Sequence, residues 1–372
     1  MKNVLVIIAP FGFGPASKGL YIAEQLSGLA RLTLTSSGDA YDFIIRHAPI
    51  GTVCRSGRVN QLFTATEVST FDLIISVNNG PSITSLTRIG LGPKVVFVDS
   101  LMHWRAGQDE IVAHQSILAY LVQDFPGAAK HPRTCQSEIF ELVAPMVWRN
   151  PDHRVAGDRH GALLCLGGVT SALVRWQDIN EVIEGLVEGV LVTCRGLNLP
   201  LTVIGNDSLK ELKVAQAEGI SIRGAVDPHT SSDLIAGSLL LLTTPGIGTV
   251  YEGFIAATPV MLMPHNNSTQ LHQYRTLADL GIAHTLHNHP DLASLYQISD
   301  QPWNQHAAAC TDWLKQHTAD LQATLQRSIS GICDPQGRLE SDALLQTQAH
   351  VVDSLSKVNV IEVLKNLIET RV

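Results

Sequence analysis

Short apolar runs rich in β-branched residues alternate with helix-length stretches along the first half of the chain. The runs fall at 3–8, 31–35, 72–77, 94–98 and 118–122, and the alternation predicts an α/β domain whose parallel sheet is covered by helices on both faces. Segment 140–157 breaks the pattern and gathers Pro145, Arg149, Pro151, Asp152 and Arg154, the punctuation of a linker. Alternation resumes at 161–166 and continues through 201–205, 219–223, 238–243 and 259–263, so a second domain of the same Rossmann-like class is expected. From Ser341 to Val372 the apolar positions, among them Leu344, Leu345, Val351, Val352, Leu355, Ile361, Leu364 and Leu367, take helical spacing. The expected organisation is an N-terminal domain over 1–145, a linker at 146–156, a second domain over 157–340 and a helical tail over 341–372.

Composition agrees with two cores, since 372 residues at 45% hydrophobic content exceed one typical domain. A formal charge of -8 without long Lys/Arg runs argues against a polyanion-binding surface, and nucleic acid is not an expected partner. The apolar start, Val4 to Ala9, is far shorter than a membrane span and has no small-residue cleavage site after it; it reads as a buried first strand. Cys54, Cys135, Cys165, Cys194, Cys310 and Cys333 are scattered without paired spacing, as expected of reduced thiols in a cytoplasmic protein. The Asn-x-Ser/Thr sequons at Asn206, Asn266 and Asn267 then carry no meaning for glycosylation. Nothing in the composition fixes the oligomeric state, and a homodimer stays open.

In an open parallel sheet, ligands settle beyond the carboxyl ends of the strands, where a glycine turn lets a helix N-terminus face an anion. Three turns are placed to do this. The first is Gly12-Phe13-Gly14-Pro15-Ala16-Ser17-Lys18, where Ser17 offers a hydroxyl to backbone amides. The second is Gly167-Gly168-Val169-Thr170-Ser171, with two flexible amides and two hydroxyls. The third runs from Pro245 through Gly246, Gly248, Thr249 and Glu252 to Gly253. Here a diphosphate would rest on Gly246 to Thr249 while Glu252 accepts from ribose hydroxyls. Each turn alone is also explained as a capped strand-to-helix connection, and Thr249 with Glu252 is a formal capping box. Three turns at matching places in two consecutive halves favour a ligand cleft.

The segment from Thr243 to Gly281 (TTPGIGTVYEGFIAATPVMLMPHNNSTQLHQYRTLADLG) resembles the nucleotide-binding signature of UDP-dependent glycosyltransferases of the GT-B type. The resembling branch contains the lipid II-forming N-acetylglucosaminyltransferases and the UDP-glucuronosyltransferases. Gly246, Gly248, Thr249 and Glu252 match its glycine pair, hydroxyl and ribose-binding carboxylate, and Pro259 and Pro264 its two prolines. Gln270 matches the glutamine that contacts the donor sugar, with Thr269 in place of a frequent Asp. Gly167, Gly168 and Ser171 resemble the GGS-type loop, Gly12 and Gly14 the first-strand glycine loop, and Ala144 to Val147 the interdomain crossing.

The resemblance implies two Rossmann-like domains facing each other across a cleft, the last helix returning to the N-terminal domain. It also implies a UDP-sugar donor held by Gly12, Gly14, Ser17, Gly168, Thr170, Ser171, Gly246, Gly248, Thr249, Glu252, Thr269 and Gln270, and a small-molecule acceptor. Retaining members carry a second glutamate where Thr244 stands, so inversion is expected. No Asp-x-Asp occurs, so neither a metal nor another cofactor is expected; helix-end amides would neutralise the leaving diphosphate.

Inverting transfer needs a base for the acceptor's proton. Many relatives place a histidine in the first glycine loop, where this chain has Pro15. Asp99, closing the strand at 94–98, is the first substitute and His103 the second; Asp99 in Asp-Ser is equally ordinary turn chemistry. Asn78, Asn79 and Gln123 end neighbouring strands and are candidate acceptor ligands, or plain turn residues. His284, His287 and His289 are dense but lack a Cys or carboxylate cluster, so metal binding is not expected. Lys18, His265, His272 and Arg275 either pair with a donor carboxylate or are solvated. The Gly12–Lys18 loop and Val98–Leu101 are similar to cytosylglucuronate synthases of nucleoside-antibiotic biosynthesis, which implies UDP-glucuronate as donor and cytosine as acceptor. A UDP-sugar 2-epimerase of the same fold and a non-catalytic UDP-sugar-binding protein are the alternatives.

Overall fold

The computed structural model describes residues 1–100, 116–126, 128, 140–148, 159–170, 174–264, 267–286, 289, 291–298, 303–333 and 339–370. The chain forms two units, Met1–Met146 with Leu355–Val372, and Val147–Ser354.

The first unit is built on seven parallel strands: β1 Lys2–Ile8, β2 Ala30–Ser36, β3 Val53–Ser56, β4 Leu73–Val77, β5 Val95–Asp99, β6 Ala119–Gln123 and β7 Phe140–Val143. Their order in the sheet is β3-β2-β1-β4-β5-β6-β7, with Val4 of β1 opposite both Leu32 and Leu73. Strand order reverses between β1 and β4, so the loops leaving these neighbours diverge and open a crevice between them.

The five expected strands are all present because their apolar runs are covered by helices on both faces. The sequence reading did not anticipate β3 and β7, the two outer strands. Three of the four β3 residues are exposed or polar, and β7 lies inside the segment read as aperiodic. Outer strands need no continuous apolar run because one side faces solvent.

Helix α1, Phe13–Leu26, follows β1 after Gly12, whose φ of 63° suits glycine. It returns so close to β1 that a Cβ on Gly19 would lie 2.2 Å from Ile8 Cδ1. On one face of the sheet, Leu5, Ile7, Ile74, Phe97, Tyr120 and Val122 pack with Ile83 and Leu86. The expected helical tail is two helices: Ser341–Asp353 belongs to the second unit and Val360–Thr370 to the first. Between them, Ser356 N donates to Asp124 Oδ2 at 2.6 Å, and Ala144 N donates to Val358 O at 2.7 Å. The returning chain thus satisfies backbone groups beyond the last strand.

The second unit has five parallel strands: β8 Ala162–Cys165, β9 Leu201–Ile204, β10 Ile220–Gly224, β11 Leu240–Thr243 and β12 Val260–Leu262. They are ordered β10-β9-β8-β11-β12, and all five match expected runs. The reversal falls between β8 and β11. Gln348 of helix Ser341–Asp353 accepts from Val260 N at 2.8 Å and donates to Thr258 O at 3.0 Å, tying that helix to the outer strand β12.

Candidate functional site

In the second unit, the Gly167–Thr170 and Thr244–Thr249 loops leave the adjacent strands β8 and β11 at the point of reversal. Helix Ile247–Ile255 follows β11 with Gly246 as its N-cap and no side-chain cap. Gly246 has an ordinary φ of -104°. Among the described residues, a Cβ on Gly248 would meet nothing within 4 Å, and one on Gly246 would meet only Thr244 O at 3.9 Å. Neither backbone conformation nor protein packing requires glycine at these two positions. The space they leave lies before uncapped amides, the arrangement that receives a phosphate. Because the helix begins at Ile247, Thr249 is its third residue rather than its N-cap, and the capping box with Glu252 is not made.

Glu252, in the next turn, is 7% exposed. Its Oε1 lies 3.4 Å from the donating Trp148 N, and the Ser232 side chain also hydrogen-bonds to it, with His229 nearby. The Trp148 and His229 rings meet edge to face, 4.9 Å between centroids. Burial pushes the carboxyl up to about 7, with the Trp148 and Ser232 hydrogen bonds and His229 opposing it. Among the described residues Trp148 N and the Ser232 side chain are its donors, and burial outweighs them, an environment in which further hydroxyl donors would favour the ionised carboxylate.

The Gly167–Thr170 loop is braced by Asn206 at the end of β9. Asn206 Oδ1 accepts from Val169 N at 3.0 Å and its Nδ2 donates to Thr170 Oγ1 at 2.6 Å. On the other side, Asn267 caps helix Ser268–Asp279, accepting from Gln270 N at 3.0 Å and from the Thr269 hydroxyl at 2.8 Å. Gln270 shares a small cleft with Gly168, Thr244, Met263 and Pro264. Residues of three stretches distant in sequence thus line one small cleft. Asn206, Ser232, His229 and Trp148 went unassigned in the sequence reading. Asn206 carried one usable signal, its place after Gly205 at a strand's carboxyl end beside the reversal.

In the first unit, the β1/β4 reversal gathers a buried polar network. Lys18 of α1, 6% exposed, donates from Nζ to Ser100 Oγ at 3.1 Å. Asn78, at a left-handed φ of 53°, holds Ser100 through both amide atoms: its Oδ1 accepts from Ser100 N at 2.8 Å and its Nδ2 donates to Ser100 Oγ at 2.9 Å. Asp99 is 0% exposed, and its Oδ2 accepts from the Tyr120 hydroxyl at 2.5 Å. Burial pushes the Lys18 ammonium down to about 8, against the opposing charge of Asp99.

These placements revise the reading of several candidates. Asp99 sits beneath the surface as a partner of Tyr120 and Lys18, an environment unlike that of a group presented to substrate. Asn78 is engaged with Ser100, and Asn79 caps helix Gly80–Arg88 by accepting from Ser82 N at 3.2 Å. Ser17 lies inside α1, beyond the positions where a hydroxyl caps amides. Gln123 is 1% exposed, and among the described residues neither its Oε1 nor its Nε2 has a hydrogen-bond partner. His284 Nδ1 is bonded to the Tyr274 hydroxyl at 2.6 Å, and His289 packs on Trp313 at 5.1 Å. His103, Ser171, His265 and His287 lie outside the described residues.

Two parallel sheets with strand reversals, one glycine-turn site in each unit and a C-terminal helix returning to the first unit define a GT-B fold. Among solved structures, MurG of Acinetobacter baumannii is similar at a TM-score of 0.50 and 12% identity, over 99% of each chain. Arabidopsis thaliana UGT89C1 complexed with UDP is similar at 0.50 and 12% identity, over 94% of this chain and 100% of that one. The same protein in another structure gives 0.51 over 95% of this chain. No protein-family model matches the sequence, and comparison with curated proteins finds no match. Among the described residues, no helix is long and apolar enough to cross a membrane.

Proposed function

We propose that this chain is an inverting glycosyltransferase that moves a sugar from a UDP-sugar, held by the second unit, to a small-molecule acceptor. The observation that carries the reading is Glu252, a buried and under-solvated carboxylate one turn into an uncapped helix whose glycines face open space. Diphosphate oxygens fit the amides and ribose hydroxyls fit the carboxylate, each supplying what the protein lacks. Gln270, in the cleft with Gly168 and Thr244, would meet the sugar. Thr244, where retaining relatives carry glutamate, supports inversion. The uncapped amides would neutralise the departing diphosphate without a metal bridge, and the chain would work in the cytoplasm.

The likeness of Gly12–Lys18 and Val98–Leu101 to cytosylglucuronate synthases supports glucuronate as the sugar and cytosine as the acceptor. The test is UDP release from UDP-glucuronate, UDP-glucose and UDP-N-acetylglucosamine, with and without cytosine. Release stimulated by acceptor is the expected result. An epimerised sugar without UDP release would make the chain a 2-epimerase, and tight UDP binding with neither would make it a binding protein.

A further inference from the structure

Two histidines of the second unit meet at one indole, and their hydrogen bonds hold them in opposite protonation states. Trp313 stacks on His317, with centroids 4.3 Å apart and planes inclined by 23°, and lies 5.1 Å from the His289 ring. His317 Nδ1 is 2.8 Å from Trp313 O, and its Nε2 is 3.2 Å from Asp291 Oδ2. A carbonyl oxygen can only accept. Hydrogen bonds from Ser294 and Trp313, with the charge of His317, hold the Asp291 carboxyl below its ordinary value, so it too only accepts. Both nitrogens of His317 must carry hydrogen to make these contacts, and only the imidazolium has two N–H groups. His289 is the reverse case. Its Nδ1 accepts from Asp291 N at 3.2 Å, which a proton there would block. Burial and the charge of His317 push His289 down, with Asp320 and Asp291 opposing and Arg327 assisting.

The same groups fasten a helix. Asp291 precedes Leu292–Ile298, whose Ser294 hydroxyl donates to Asp291 O at 2.9 Å and accepts from Trp313 Nε1 at 2.9 Å. Trp313 Nε1 also reaches Asp291 Oδ2 at 3.2 Å from the last turn of helix Trp303–Gln316, and His317 opens helix Thr318–Ser330. We propose that Asp291, Trp313 and His317 form a proton-dependent clamp, which holds helix Leu292–Ile298 on the helices that follow it and loosens when His317 loses its proton. Deprotonation leaves one ring nitrogen with a lone pair facing an oxygen, so one contact turns repulsive. It also removes a cation from the face of the Trp313 ring. The contacts belong to the charged form, so their stabilisation is present near about pH 6 and gone near about pH 8.5. The Arg275 guanidinium sits 5.5 Å from the ring centroid of Tyr296, which joins the clamped helix to helix Ser268–Asp279, whose first turn carries Gln270. The clamp stands independently of the transfer reading.

Hydrogen exchange of the full-length protein, read by mass spectrometry on peptides covering 292–298 and divided by the intrinsic amide rate, measures opening of this helix. Wild-type opening should rise roughly two- to fivefold between about pH 6 and about pH 8.5, the worth of an ion pair whose side chains are 20% and 46% exposed. His317→Gln keeps a donor for Asp291 but has no proton to lose, so it should lack that rise. At about pH 6, His317→Gln and Asp291→Asn should each raise opening, and the double variant should fall short of the product of the two effects by a similar factor. An equal pH response in wild type and His317→Gln would overturn the clamp, as would fully multiplicative effects of the two substitutions. If the variants do not fold, wild type decides alone: opening that fails to rise with pH overturns the proposal.

Discussion

Replacing Glu252 by Gln separates a binding carboxylate from a structural one, because the two roles predict opposite signs. In the folded chain the carboxyl is raised from 4.5 to about 7, so between those values the native state holds a proton that the unfolded state has lost. Stability from this group is present below pH 4.5 and is lost as pH rises through about 7. Two and a half units correspond to about 3 kcal/mol at 1.36 kcal/mol per unit. Glu252→Gln removes that penalty. The ligand-free variant should match wild type near pH 4.5 and exceed it by up to about 3 kcal/mol at pH 8 in urea unfolding.

UDP reverses the order. Ribose hydroxyls donating to the ionised carboxylate favour its charged form, so UDP should bind wild type more tightly as pH rises through about 7. Comparing variant with wild type cancels the ligand's own titration. The variant should bind UDP roughly 5- to 150-fold more weakly at pH 8, the equivalent of about 1–3 kcal/mol for a lost acceptor. A variant less stable than wild type at pH 8, with unchanged UDP affinity, would refute the ribose assignment and make Glu252 a structural residue.

The glycines of the same helix should divide by role. Gly248→Ala should leave stability unchanged or raise it by about 0.4–1 kcal/mol, since its Cβ meets nothing, while lowering UDP affinity at least about tenfold in calorimetry. Gly253→Ala should instead destabilise by about 1–3 kcal/mol, because a Cβ there would lie 2.6 Å from Val260 Cγ2 and 2.9 Å from Leu241 Cδ2. Asn206→Ala should cost about 1–3 kcal/mol in chemical unfolding by releasing Val169 N and Thr170. It should also weaken UDP binding, since the loop bearing Gly168 loses its brace.

Nine of the ten legible strands are largely buried apolar runs; the tenth, β10, is an outer strand marked by its alternation of half-buried Ile220 and Ile222 with exposed Ser221 and Arg223. The two that were missed, β3 and β7, are four-residue outer strands, largely exposed or half-buried and set in polar or Pro-rich surroundings. The proposed donor side rests on glycine, hydroxyl and carboxylate that lie within one turn and a half of a single helix, so local spacing could suggest it. The brace from Asn206 and the Trp148, His229 and Ser232 surroundings of Glu252 come from elsewhere in the chain, and no local spacing announces them. The capping box was a fair inference from Thr249 and Glu252, but it depended on where the helix begins, and Gly246 rather than Thr249 is the cap.

By itself the sequence determined two parallel α/β units and the glycine turns from which their helices start. Those follow from burial period and glycine placement, both local properties of the chain. Only the tertiary structure decided that Asp99 is withdrawn beneath Tyr120, that Asn78 is committed to Ser100, that Lys18 is buried among them and that Glu252 is buried against Trp148 and Ser232. Each of these depends on how strands far apart in sequence are ordered side by side. Strand order sets which polar groups lose their water and which partners they find in exchange.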